Sequence, residues 1–176
     1  MAFICTLLDD RNYVRVLRDG NSYTVSTQVG YDDTSNKIYY AVVYLDLIPS
    51  GEHEVRFCLD EFDGTTSHFY SYWDGRDVAK FICKDDRKKI LDCVISLMHN
   101  LICQVRPPVV VMCSKYNNPV CRSNIKAVRV AECFEVSGYT VQTFDPYLGH
   151  MVWRMELRGL GKGCLHAPAI PSKERP

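Results

Sequence analysis

No apolar run in this chain approaches the roughly 20 residues that a membrane-crossing helix needs. Charge of one sign is also missing, with 21 Lys and Arg against 21 Asp and Glu. A balanced chain offers no basic stripe, the feature through which counterion release supplies most duplex affinity, so nucleic acid is not indicated as a partner. The densest basic cluster, Lys84, Arg87, Lys88 and Lys89, is interrupted by Asp85 and Asp86 and reads as a solvated helix face. There is no C-x-x-C or H-x-x-x-H pair, and structural zinc sites gather their ligands in such close pairs. There is no G-x-S-x-G, which leaves no serine-hydrolase nucleophile turn. The nine cysteines stand at 5, 58, 83, 93, 103, 113, 121, 133 and 164. An odd number at wide spacing suits reduced thiols rather than a disulfide framework, and none forms a local signature with a histidine. The first eight residues lack a basic region, and Asp9-Asp10-Arg11 follows at once, which argues against a signal peptide. The expectation is a cytoplasmic protein with no membrane contact, no metal and no cofactor.

What is present is an ordinary globular composition, 47% hydrophobic and 24% charged over 176 residues. That length suits a single α+β domain over residues 1–158, followed by an extended tail over 159–176 rich in proline and glycine. The first half reads as an antiparallel meander. Residues 13–18 and 23–29 flank Asp19-Gly20, which suits a tight hairpin because glycine tolerates positive φ. Residues 38–47 are rich in Tyr and Val, as strands prefer. In residues 53–62, Val55, Phe57 and Leu59 fall on one face, and Glu54, Arg56, Cys58 and Asp60 on the other. A turn at Asp63-Gly64-Thr65-Thr66 leads to residues 67–73, and Asp74-Gly75-Arg76 to a short apolar segment over 78–83. Five or six strands are expected.

The period then changes. Ile90, Val94, Leu97, Leu101 and Val105 make one helical stripe, which Asp85 can cap and Arg106-Pro107-Pro108 ends. Residues 109–113 are apolar without alternation, as for a strand covered on both faces. A second helix, capped at Ser123 or Asn124, would bury Ala127, Val128, Val130, Ala131 and Phe134 and end at Gly138 in the left-handed region. Residues 139–144 and 151–157 are strands. The fold class is α+β: a mostly antiparallel mixed sheet with two main helices.

The order helix, strand, helix, strand, strand over residues 85–157, with Phe134 a turn before Gly138-Tyr139, resembles the C-terminal half of the GNAT N-acetyltransferase fold. The resemblance implies acetyl-CoA as cofactor, and a tyrosine as the acid that protonates the leaving thiolate. Phe134 stands where the family often has that tyrosine, so Tyr116, Tyr139 and Tyr147 become the candidates. The family's R/Q-x-x-G-x-G/A loop receives pyrophosphate on free backbone N–H groups. At the equivalent position this chain has Phe81-Ile82-Cys83-Lys84-Asp85-Asp86-Arg87, with no glycine and two carboxylates that repel phosphate. A literal match stands at Arg158-Gly159-Leu160-Gly161-Lys162-Gly163, making Arg158, Gly161 and Gly163 the alternative cofactor ligands. The prolines beyond it leave no regular helix to complete that site.

Two functions follow. The first is a non-catalytic, GNAT-like module that binds a protein partner through the aromatics of the meander: Tyr39, Tyr40, Tyr44, Phe69, Tyr70, Tyr72 and Trp73. Toxin–antitoxin and phage–host conflict systems contain small neutral domains of this kind, and homo-oligomerisation stays open. The second is an acyl-CoA-dependent N-acetyltransferase.

Overall fold

The computed structural model describes residues 3–7, 15–115, 123–147 and 150–159. Among these residues nine strands and three helices follow in the order β1 (Phe3–Cys5), β2 (Leu17–Asp19), β3 (Ser22–Asp32), β4 (Lys37–Leu47), β5 (His53–Asp63), β6 (His68–Tyr72), α1 (Gly75–Val78), α2 (Lys84–Val105), β7 (Val109–Lys115), α3 (Ser123–Val136), β8 (Tyr139–Tyr147) and β9 (His150–Leu157). The strands form one sheet in the order β1-β3-β4-β5-β7-β9-β8, with β2 also pairing β3 and β6 also pairing β5. Every pairing is antiparallel except β5 with β7. The class is therefore α+β with a mixed, mostly antiparallel sheet.

The meander forms because its turns suit its residues. Gly20, at φ +54°, sits in the two-residue link that brings Asp19 opposite Ser22. Gly30 serves a different need: a Cβ there would lie 2.5 Å from the Ile4 carbonyl oxygen, so only glycine lets β1 approach. β4 and β5 then pair without a break from Lys37↔Asp63 to Leu47↔His53. β5 has only one edge left, and two strands share it. β7 meets it in parallel at His53 and Glu54 alone, while β6 takes Leu59–Asp63.

Both long helices cover the same side of this sheet. α2 buries Ile90, Cys93, Val94, Leu97, Met98, Leu101 and Ile102, a stripe at three- and four-residue spacing. That stripe joins Val25, Ala41, Val43, Leu45 and Val55 in one core with Val130 and Phe134 of α3. α3 lies beside α2, tied by the Arg129–Asp92 ion pair and by the Cys133 thiol directed at the Ile95 carbonyl 3.7 Å away. β7 is buried from Val109 to Met112, as expected of its apolar run, but Cys113 at the end of that run is exposed. Gly138, at φ +92°, follows α3 and turns the chain into β8.

Several sequence expectations are corrected. The apolar segment over 78–83 is not a strand: Asp74 accepts the Arg76 N–H at 2.9 Å and opens α1, and the chain beyond bends into α2. Asp85 does not cap α2. Cys83 is the cap residue, with no side-chain cap bond, and Asp85 lies inside the first turn. α3 begins at Ser123, which places Asn124 within it. Val128 is exposed on α3, and Cys133 takes the buried place instead. The tail from residue 160 onward lies outside the described residues.

Phe134 is fully buried and meets Tyr139 edge to face at 5.3 Å, joining α3 to β8. Replacing it with alanine should lower the unfolding free energy by about 3–5 kcal/mol in denaturant titration. Val128→Ala, on the exposed side of the same helix, should change it by less than about 0.5 kcal/mol.

A candidate partner-binding face

A strand turns successive side chains to opposite faces, and antiparallel partners in register share a face. Across β3, β4 and β5 the triplets Thr24–Tyr44–Arg56 and Ser26–Val42–Cys58 therefore stand side by side, with Tyr40–Asp60–Ser71 continuing into β6. These positions alternate with Val25, Val43 and Val55, which point into the helix-covered core. Among the described residues no helix covers the face they form. It carries polar groups, aromatic rings and few aliphatic ones.

A groove of about 280 Å³ lies on this face. Val42, Thr24 and Ser26 line one part of it, with Tyr40, Tyr44, Asp60 and Phe69 around the rest. Asp60 is the only charged group among them. Its Oδ1 accepts from Ser71 Oγ at 2.6 Å and from the Cys58 thiol at 3.2 Å, and its Oδ2 accepts from the Tyr44 hydroxyl at 3.3 Å. Burial and the neighbouring Asp60 charge push the Tyr44 phenol well above its ordinary pKa, so it stays a donor throughout the physiological range. The Cys58 thiol, also buried and bonded to Asp60, is pushed up to about 12. At the rim, Trp73 packs 6.0 Å from Tyr44, and the Arg56 guanidinium lies 5.7 Å from its ring centre. Phe69 stacks on Phe62 at 4.8 Å yet is 68% exposed, and Trp73 is 54% exposed. Isolated aromatics at such exposure are unremarkable, but grouped ones mark contact surfaces.

The seven aromatics picked from the sequence divide between the two faces. Tyr40, Tyr44, Phe69 and Trp73 share the helix-free face. Tyr39 is 1% exposed in the core and packs against Phe3 and Phe81, each at 5.4 Å. Tyr72 also faces the helices, and its hydroxyl donates to Glu61 at 2.7 Å; Lys37 pairs with the same carboxylate at 2.6 Å. Tyr70 lies on that side too, exposed and 4.6 Å from Tyr72. The residues that sequence reasoning left out are Thr24, Ser26 and Asp60. The link at residues 48–52 makes the β4–β5 pairing symmetric about Ser50, so placing Asp60 opposite Tyr40 needed only that turn and the two-residue period.

Of the residues of the acetyltransferase alternative, Tyr139 and Arg158 are described with their side chains. Tyr139 is buried, its hydroxyl donating to the Pro107 carbonyl at 2.7 Å, and burial pushes its pKa up to about 12. Arg158 closes β9 through its backbone N–H, which donates to the Gly138 carbonyl at 2.9 Å. Tyr116, Gly161 and Gly163 lie outside the described residues, as does the Tyr147 side chain. The first turn of α2 carries Asp85 and Asp86. Asp86 accepts from Lys89 at 2.9 Å and from the Cys83 thiol at 3.2 Å, and both contacts hold its carboxyl below the ordinary range.

Among the described residues no three His, Cys, Asp or Glu side chains group as metal ligands would, and no helix is long and apolar enough to cross a membrane. Comparison with protein-family models, with curated proteins and with solved structures returns no match.

Thiol chemistry offers a check on this geometry. At pH 8, iodoacetamide should label the exposed Cys83 and Cys103 and leave Cys58 and Cys133 unmodified in the folded chain, as read by peptide mass spectrometry. Equal labelling of Cys58 would mean that the groove is not built as described.

Proposed function

We propose that this chain is a non-catalytic, GNAT-like module that binds a protein partner on the helix-free face of its sheet. The observation that carries the reading is the exposure of Phe69 and Trp73 beside a groove that no helix covers among the described residues. Aromatic rings give large contact area for little entropy loss, and a rim of Thr, Ser, Arg and Asp around them is the composition of a docking patch.

The strand order supports a GNAT-like scaffold. The central strands β5 and β7 run parallel, and β9 lies between β7 and β8. An acyl-CoA enzyme on that scaffold would need an open, amide-lined cleft between its parallel central strands. Here β5 leaves β7 after two residue pairs, and β6 hydrogen-bonds the same edge a few residues on. That edge is therefore partly satisfied from within the chain. Two carboxylates occupy the positive pole of α2. The parting of β5 from β7 is what an acetyltransferase would share; the return of β6 to that edge and the carboxylates of α2 weigh against that alternative.

Acetyl-CoA at 1 mM should leave the melting temperature unchanged. A cofactor bound with a Kd of about 10 μM would add about 2.7 kcal/mol, or roughly 5–10 °C for a chain of this size, and would overturn the non-catalytic reading. In parallel, a partner captured from native cells should be lost with the Phe69→Ala/Trp73→Ala double variant and kept with Val136→Ser, which alters an exposed residue of α3. Equal capture by both variants would move the docking site off this face.

A further inference from the structure

Five carboxylates stand in the strands β4 and β5, and among the described residues three of them have a cation within ion-pair distance; Asp63, the last residue of β5, instead accepts the Thr65 and Thr66 N–H groups. Asp46 and Glu54 hold Arg56, and Glu61 holds Lys37 at 2.6 Å. Asp60 has none within ion-pair distance among the described residues; its three partners are the neutral Ser71, Cys58 and Tyr44. Three donors also leave part of its hydrogen-bonding capacity unused, since a carboxylate offers about four lone-pair sites. The charge faces the groove, and so do Tyr40, Tyr44 and Phe69. Aromatic faces attract cations through their quadrupole, and a half-buried carboxylate strengthens that attraction because water screens it less. Among the described residues Arg56 is the only positive group on this part of the face, and it is drawn away by Asp46 and Glu54 and lies over Trp73 instead. The helix-free surface of β4 and β5 thus carries three carboxylates against one guanidinium.

From this geometry we infer that the groove takes a basic side chain, arginine or lysine, projecting from the partner protein and set between the rings with its charge on Asp60. The inference rests on the docking reading above and names the partner's chemistry: a basic segment. A volume of about 280 Å³ has room for one such side chain. The surrounding exposed rings, Phe69 and Trp73, would pack the neighbouring residues of that segment.

The test is calorimetric titration of the full chain with a heptapeptide carrying three arginines and with its glutamine counterpart. The arginine peptide should bind and the glutamine peptide should not, and raising salt from 50 to 500 mM should weaken the binding. Asp60→Asn should lower the affinity about tenfold, equivalent to about 1.4 kcal/mol. Phe69→Ala, at a position too exposed to govern folding, should lower it several-fold and so guards against a folding defect in the first variant. Equal binding of both peptides, or an Asp60→Asn variant that binds as tightly as the parent, would overturn the inference. If the arginine peptide fails while partner capture still depends on Phe69 and Trp73, the cation site falls and the docking face stands. Loss of both results removes both. A dimer in sedimentation that Phe69→Asp dissociates would assign the face to a second copy and overturn the basic partner.

Discussion

Eleven residue pairs run without interruption between β4 and β5, and the rest of the molecule is arranged around that ladder. The alternation it enforces sends Tyr39, Ala41, Val43 and Leu45 to one side and Tyr40, Val42 and Tyr44 to the other. The first set needs burial, and the seven-residue apolar stripe of α2 supplies it. The second set is amphipathic. Tyr44 reaches Asp60 through its hydroxyl, the single aliphatic member is hidden by its neighbours, and the set can face water without a cover. A one-residue slip would exchange the two sets and leave a core of hydroxyls, so the register is strongly specified.

The same ladder shapes the middle of the sheet. Because β4 occupies one edge of β5 along its whole length, the other edge alone must join the two halves of the fold. β7 meets it at one end and β6 at the other. The junction is reinforced on the helix-free side by Arg154, which pairs with Glu52 ahead of β5 and with Glu156 beside it on β9. In a GNAT-like reading this junction is where a cofactor would enter, and the return of β6 to the same edge is what turns the reading toward binding. The open face and the groove are where we propose docking; the core side is filled, and the positive pole of α2 already has carboxylates beside it.

Much of this was legible in the chain. The sides of β5 followed from its alternation, the core stripe of α2 from its helical period, and the buried state of β7 from its unbroken run of Val and Met. Turns written in glycine were legible too, at Gly20 and Gly138. What period and turn chemistry could not supply was long-range pairing. Nothing local in residues 68–72 says that β6 returns to the edge that β7 also uses. The apolar segment after Asp74 looked strand-like because an apolar run this short is ambiguous, and the Asp74 cap decided for a helical turn. Asp85 looked like a cap because its chemistry suits one, but the helix opens at Lys84 and makes it a first-turn residue. At the candidate site the aromatics were visible as a group, yet treating Tyr39 and Tyr40 as equals overlooked that adjacent strand residues face opposite ways. Asp60 was hidden because its meaning lies in the cation it lacks among the described residues, and that appears only once its neighbours are in place.

Hydroxyl-radical footprinting of the full chain, alone and with its captured partner, tests the central claim most directly. In the free protein Phe69 and Trp73 should be oxidised readily and Phe134 and Tyr39 protected, and partner binding should shield Phe69 and Trp73 selectively. Protection of both residues in the free chain, or their undiminished oxidation in the complex, would contradict an open face that serves as the docking surface.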